Sequence, residues 1–204
     1  MMKIRFETAL SYLLHPIFIP TYIILLLITL PYYVASRLPV TSKLILAGTV
    51  VAMTVIIPLI FLAFMRQRKI IRTFFLESRE ERIYPLLTVA VAYYITYYIL
   101  KGYPVSALFS YYMLGSTFLA IVALIVSFYY KISLHMIGIG GFLGLMLGMA
   151  LNFSFDLLWP IAVLVALSGL LGYARLKSNS HRASEVYTGF LVGASVMFVL
   201  FFFI

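Results

Sequence analysis

The sequence predicts an all-α fold, a polytopic transmembrane helical bundle of six to seven spans, on three observations. The chain of 204 residues is 64% hydrophobic and only 10% charged, with a mean hydropathy of +1.10, against about 45–50% apolar and about 25% charged residues in soluble domains. A chain of this length has too little interior to hide that apolar fraction, so most of its surface must face hydrocarbon. Seven stretches approach the roughly 20 apolar residues that cross a hydrocarbon core of about 30 Å. Cysteine is absent, which excludes disulfides, thiolate metal sites and thiol chemistry. Fifteen basic against six acidic residues give a net charge of +9, a balance suited to anionic headgroups or phosphate-bearing substrates. No soluble basic domain is left over to bind nucleic acid.

The expected spans are 8–34, 42–65, 84–100, 105–130, 133–152, 156–174 and 186–204. The first follows Lys3 and Arg5 but is too long for a signal-peptide core and is interrupted by His15-Pro16 and Pro20, so it reads as a retained span whose prolines kink a buried helix. Between the second and third lies the basic loop 66–83. The third carries Tyr93, Tyr94, Tyr97 and Tyr98, which fit interfacial anchors. The fifth contains Gly140, Gly144 and Gly148 at four-residue intervals, a stripe that lets another helix approach closely. Asp156 opens the sixth. With no tandem repeat, low-complexity tract or soluble linker, one membrane domain over 1–204 is expected.

The connectors alternate between two sides. Side A collects Lys3, Arg5, Arg66, Arg68, Lys69, Arg72, Arg79, Arg82, Lys131, Arg175, Lys177 and Arg182, whereas side B has Arg37, Lys43 and Lys101. The positive-inside rule makes side A cytoplasmic, unless those cations serve a phosphate site, which needs them whichever compartment it faces.

Three side-A clusters carry chemistry. In the run that opens the last span, Arg175, His181 and Glu185 stand out. His181 and Glu185 are four apart, which brings them together if the helix has begun by His181. A carboxylate on one imidazole nitrogen fixes the tautomer and leaves the other as base, ligand or nucleophile. The second cluster is Lys131, Ser133 and His135 at a helix start, where unpaired N–H groups and the positive dipole end suit a phosphate and an imidazole suits a general acid. The third holds Arg79 and Arg82 beside a span entry. Two spans separate Arg82 from Ser133 and two more separate His135 from Arg175, so all three clusters return to one membrane face. Two His, one Glu, one Ser and several Arg on one face describe a phosphoryl-transfer site better than a packing core.

On these residues the chain resembles the type 2 phosphatidic acid phosphatase superfamily, whose signature is Lys-x6-Arg-Pro, then Pro-Ser-Gly-His, then Ser-Arg-x5-His-x3-Asp. Arg175-x5-His181-x3-Glu185 reproduces the third spacing, with Ala174 for Ser and Glu for Asp, followed by Val186 and Gly189. Ser133-Leu134-His135 keeps the Ser and His of the second, with Ile132 for Pro and Leu134 for Gly. For the first, Arg72-x6-Arg79 has the spacing without the Pro, and Arg82 lies three residues before Pro85; both registers stand.

The resemblance implies a metal-independent, cofactor-free phosphatase that forms a phosphohistidine on His181, with Glu185 orienting it and His135 protonating the leaving oxygen. Arg175, Ser133, Lys131 and Arg79 or Arg82 would hold the phosphate oxygens. It implies a lipid or polyprenyl phosphate as substrate, a bacterial inner membrane as location and an exoplasmic site, against the charge count. Two other readings are a metal hydrolase using His135, His181 and Glu185, although no His-Glu-x-x-His pattern occurs, and a transporter or catalytically silent lipid-phosphate binder. No Gly-x-Ser-x-Gly elbow supports a serine hydrolase. Head group, chain length and oligomeric state are not encoded in these spans.

Overall fold

The structure, a computed structural model, describes residues 5–30, 38–72, 78–103 and 107–203. Lys3, Arg37 and the expected span ends at 31–34, 105–106 and 204 lie outside the described residues. Every regular element among the described residues is helical. Seven helices are long and apolar enough to cross a membrane: Phe6–Thr29, Val40–Gln67, Glu80–Lys101, Ala107–Tyr129, Leu134–Asn152, Leu158–Lys177 and Ala183–Phe202. The chain is thus an all-α, multi-pass membrane protein.

Local chemistry explains where these helices bend or begin. The first is broken rather than kinked. Helix α1 (Phe6–Leu13) stops, a short 3-10 turn covers Pro16–Phe18, and α2 (Ile19–Thr29) resumes. His15 precedes the turn in an extended conformation, and its Nδ1 accepts the Ile17 N–H at 3.3 Å. Pro20 sits in the first turn of α2, where its missing N–H costs nothing. Helix α3 (Val40–Gln67) contains one π turn over Ala52–Ile56, just before Pro58, whose absent N–H frees the Thr54 carbonyl. Helix α4 (Glu80–Lys101) begins four residues before the expected position and holds Pro85 near its start, and α5 spans Ala107–Tyr129. Along these spans Thr96, Thr117 and Ser127 return their hydroxyls to carbonyls four residues back, at 2.7, 2.8 and 2.6 Å. That arrangement satisfies a polar side chain where water is absent.

The helices pack into two compact units, one of residues 1–19 and 131–204, the other of 20–130. In the first unit α6 (Leu134–Asn152) and α8 (Ala183–Phe202) lie backbone against backbone. A Cβ added at Gly140 would strike the Phe190 carbonyl, one at Gly144 the Ala194 carbonyl and one at Gly193 the Ile137 carbonyl. The four-residue glycine stripe is therefore a helix-packing seam. Lipid tails are as apolar as leucine, so close van der Waals contact, rather than water exclusion, holds such a pair.

Above the seam, Leu10, Leu14, Met136, Ile139, Leu171, Ala174 and Val186 form a buried cluster drawn from α1, α6, α7 (Leu158–Lys177) and α8. Five of these are chain neighbours of polar residues: Leu10 of Ser11, Leu14 of His15, Met136 of His135, Ala174 of Arg175 and Val186 of Glu185. Packing the apolar member fixes the backbone that carries its polar neighbour.

Candidate active site

The first unit brings together His181, Glu185, Arg175, Ser133, Lys131 and His135. His181 Nδ1 donates to Glu185 Oε2 at 2.7 Å, and both residues are buried, 8% and 9% exposed. The pair does not form on a helical face. Helix α8 begins at Ala183 and Arg182 is its N-cap, so His181 lies before the helix. Glu185, in the first turn, reaches back, and its Oε2 also accepts the Arg182 N–H at 3.2 Å. One carboxylate oxygen thereby caps the helix and orients the imidazole. With the proton on Nδ1, the lone pair of His181 is on Nε2.

The α6 start is fastened to this pair. Ser133 N–H donates to the Glu185 carbonyl at 3.2 Å, and a Cβ on Gly189 would sit 2.8 Å from the Ser133 carbonyl oxygen, so the approach depends on a glycine there. Ser133 is the N-cap of α6, yet its side chain makes no capping hydrogen bond. Its hydroxyl is fully buried and has no hydrogen-bond partner among the described residues. A serine at this position ordinarily bonds the N–H of the second or third helical residue. An unsatisfied buried hydroxyl carries a desolvation cost of about 1–3 kcal/mol, which a ligand oxygen would relieve. Ser133→Ala is therefore expected to leave the melting temperature unchanged or raised, while raising KM for a phosphate substrate about 5-fold to 10-fold, the loss of one hydrogen bond. Thermal unfolding and initial rates on the same preparation check it, and a large destabilisation would contradict it.

Cations and imidazoles complete the cluster. Arg175, in the last turn of α7, donates from Nη1 to Ser11 Oγ at 3.4 Å. His135, in the first turn of α6, donates from Nε2 to the Ser11 carbonyl at 3.0 Å, which leaves Nδ1 as its other ring nitrogen. Arg175, His15 and His181 are the charged and titratable groups acting on His135, and Lys131 acts on Glu185. Lys177 forms an ion pair with Glu7, tying the end of α7 to α1.

Arg79 and Arg82 belong to the second unit. There Arg79 Nη1 donates to the Tyr129 carbonyl at 2.9 Å, joining the start of α4 to the end of α5. Arg82 is buried in the first turn of α4.

The sequence pattern did not single out Ser11 and His15. Both lie on the N-terminal segment, four residues apart, beside the core residues Leu10 and Leu14. The available signal was an ionisable group inside an apolar span, which the adjoining Pro16 disguised as a kink.

Among the described residues no three His, Asp or Glu side chains gather as a metal-ligand set. The combination of His135, His181 and Glu185 does not form one, because Glu185 Oε2 is turned to His181 and the Arg182 N–H while His135 Nε2 is turned to the Ser11 carbonyl. What the site presents instead is an oriented imidazole, a second imidazole, a guanidinium and a buried hydroxyl at a helix start. Compared with known proteins, the chain matches no family model, no curated protein and no solved structure.

Proposed function

We propose that this protein is a membrane lipid phosphatase that hydrolyses a phosphate monoester or diphosphate of a lipid or polyprenol through a phosphohistidine. The observation that carries the reading is the His181–Glu185 pair bonded through backbone to the N-cap of α6, whose serine hydroxyl is buried with no hydrogen-bond partner among the described residues. Nucleophile, orienting carboxylate and an unmet phosphate-oxygen donor meet within one cluster.

In the first step His181 Nε2 attacks phosphorus, the P–N bond forms and the bond to the lipid oxygen breaks. His135 enters the step as the imidazolium, gives that oxygen its proton from Nδ1 and keeps the Nε2–H that the Ser11 carbonyl accepts, while Glu185 balances the charge growing on His181. Arg175, Lys131, Ser133 and the N–H groups at the α6 start take the phosphate oxygens, supplying the charge stabilisation on which phosphoryl transfer depends. In the second step water attacks phosphorus and passes its proton to His135. The P–N bond breaks, inorganic phosphate leaves and His181 is restored. The membrane-spanning helices fit a substrate whose tail stays in hydrocarbon, and we assign the protein to a bacterial inner membrane.

The test is inorganic phosphate release by detergent-purified protein from phosphatidic acid, phosphatidylglycerol phosphate and polyprenyl mono- and diphosphates, with and without a strong chelator. Turnover undiminished by chelation is the expected result. Loss of turnover in chelator, restored by a divalent ion, would replace this mechanism with a metal-assisted one. No release by folded protein would move the reading to a silent lipid-phosphate binder or a transporter.

A further inference from the structure

We propose that His15 is a positioning residue for His135, so that the N-terminal segment is part of the active site rather than only a membrane span. The proposal rests on the phosphatase reading for its kinetic consequence, but its structural content stands on separate geometry.

A general acid must present one nitrogen in a fixed direction. The His135 ring can turn about two side-chain bonds, and two groups on the N-terminal segment restrain it. The Ser11 carbonyl accepts from Nε2 at 3.0 Å. The His15 ring meets the His135 ring in a T-shaped contact, with centroids 5.1 Å apart and planes at 85°. The first fixes which nitrogen is committed, and the second fixes the plane of the ring. His15 is itself held, because its Nδ1 accepts the Ile17 N–H, its ring also meets Phe18 edge-on at 6.4 Å, and Leu14 beside it is anchored in the core. The break in the first helix brings this about. Were residues 6–29 one continuous helix, His15 would not be fixed by the turn at Pro16–Phe18 that it caps.

Capping and ring contact are separable by substitution. Asparagine places an acceptor near the position of Nδ1 and keeps the cap without the ring. Phenylalanine keeps the ring without the acceptor. A positioning role predicts that His15→Asn lowers kcat on the order of 10-fold to 100-fold at unchanged KM, and that His15→Phe recovers most of that loss. It also predicts that His15→Asn adds nothing in a His135→Ala background, since the residue acts through His135. A purely structural cap predicts the reverse order, with Asn tolerated and Phe impaired, and that result would overturn the proposal. So would losses that simply add in the double variant.

A second readout does not need turnover. The chain has three histidines, so the imidazole nitrogen-15 spectrum of histidine-labelled protein is assignable by single substitutions. In its neutral form, read above the pH at which the ring loses its second proton, His135 is expected to show the Nε2–H tautomer in the parent protein and in His15→Phe, and a mixture in His15→Asn. An unchanged tautomer in His15→Asn would overturn the proposal. If the parent protein releases no phosphate from any lipid, the phosphatase reading falls, while the spectrum still decides whether His15 orders His135.

Discussion

Replacing His181 with Ala is expected to lower phosphate release by at least about 10³-fold, because under the proposed mechanism the variant lacks the atom that attacks phosphorus and removing a nucleophile costs more than removing any supporting group. The fold should survive. His181 precedes α8, and the hydrogen bond from the Arg182 N–H to Glu185 that caps the helix does not involve it. The substitution does leave a buried carboxylate one donor short, a penalty of about 1–3 kcal/mol. A lower melting temperature with an unchanged detergent gel-filtration profile is therefore the accompanying result. Acid-labile, base-stable phosphate incorporation from labelled substrate provides a second measurement, present in the parent protein and lost in the variant. Full turnover by His181→Ala would end the phosphohistidine assignment.

The contact between His181 and Glu185 was legible in the sequence, though not by the geometry its spacing suggested. A four-residue separation ordinarily means one helical face, whereas here the contact crosses the helix N-cap and the carboxylate doubles as the capping group. The seven spans were legible because length and apolarity are properties of a local window, and the glycine stripe because close packing leaves a period of four. The broken first span was less so, since Pro16 and Pro20 are compatible with either a kink or an interruption. What distinguishes them is whether something caps the new start, and here His15 does. The gathering of Ser11 and His15 beside His135 and Arg175 depends on packing between segments more than a hundred residues apart. The division into two units is equally non-local, and Arg79 and Arg82 belong to the other unit.

The same cluster shows how an apolar chain keeps polar chemistry ordered. In α4 and α5 hydroxyls are spent on their own helix. At the starts of α6 and α8 the polar groups instead bond between segments: the Ser133 N–H to the Glu185 carbonyl, His135 to the Ser11 carbonyl, Arg175 to the Ser11 hydroxyl. Helix ends are where backbone groups lack intrahelical partners, so they are the natural place to build a site whose donors must face a ligand. The glycine seam below supplies the rigidity. A larger residue at Gly189 would push on the Ser133 carbonyl and so displace the buried Ser133 hydroxyl proposed to meet a phosphate.

Glu185→Gln is expected to reduce kcat about 10²-fold to 10³-fold, the range found when a group stabilising developing charge is removed. In a serine-protease triad the corresponding amide substitution costs about 10⁴-fold because the histidine adopts the wrong tautomer. The smaller loss expected here follows from a second donor. Both His181 Nδ1–H and the Arg182 N–H point at the same oxygen of Glu185. A glutamine must keep its oxygen there, since turning its amide nitrogen inward would set a donor against the Arg182 N–H as well as against His181. The tautomer is retained, and what is lost is the negative charge that balances the cationic histidine during transfer. Glu185→Asp keeps the charge but is shorter by one methylene, so it can satisfy the cap while loosening its hold on His181. Its activity should fall between those of the parent protein and Glu185→Gln. Stability should follow a different order, because a carboxylate in the first turn of α8 favours the helix by about 0.3–1 kcal/mol whichever acid supplies it. Rates and melting temperatures measured on the three proteins separate the two roles. Parent-like turnover in Glu185→Gln would show that the charge is not used, leaving Glu185 a capping residue and His181 an imidazole without an electrostatic partner in the reaction.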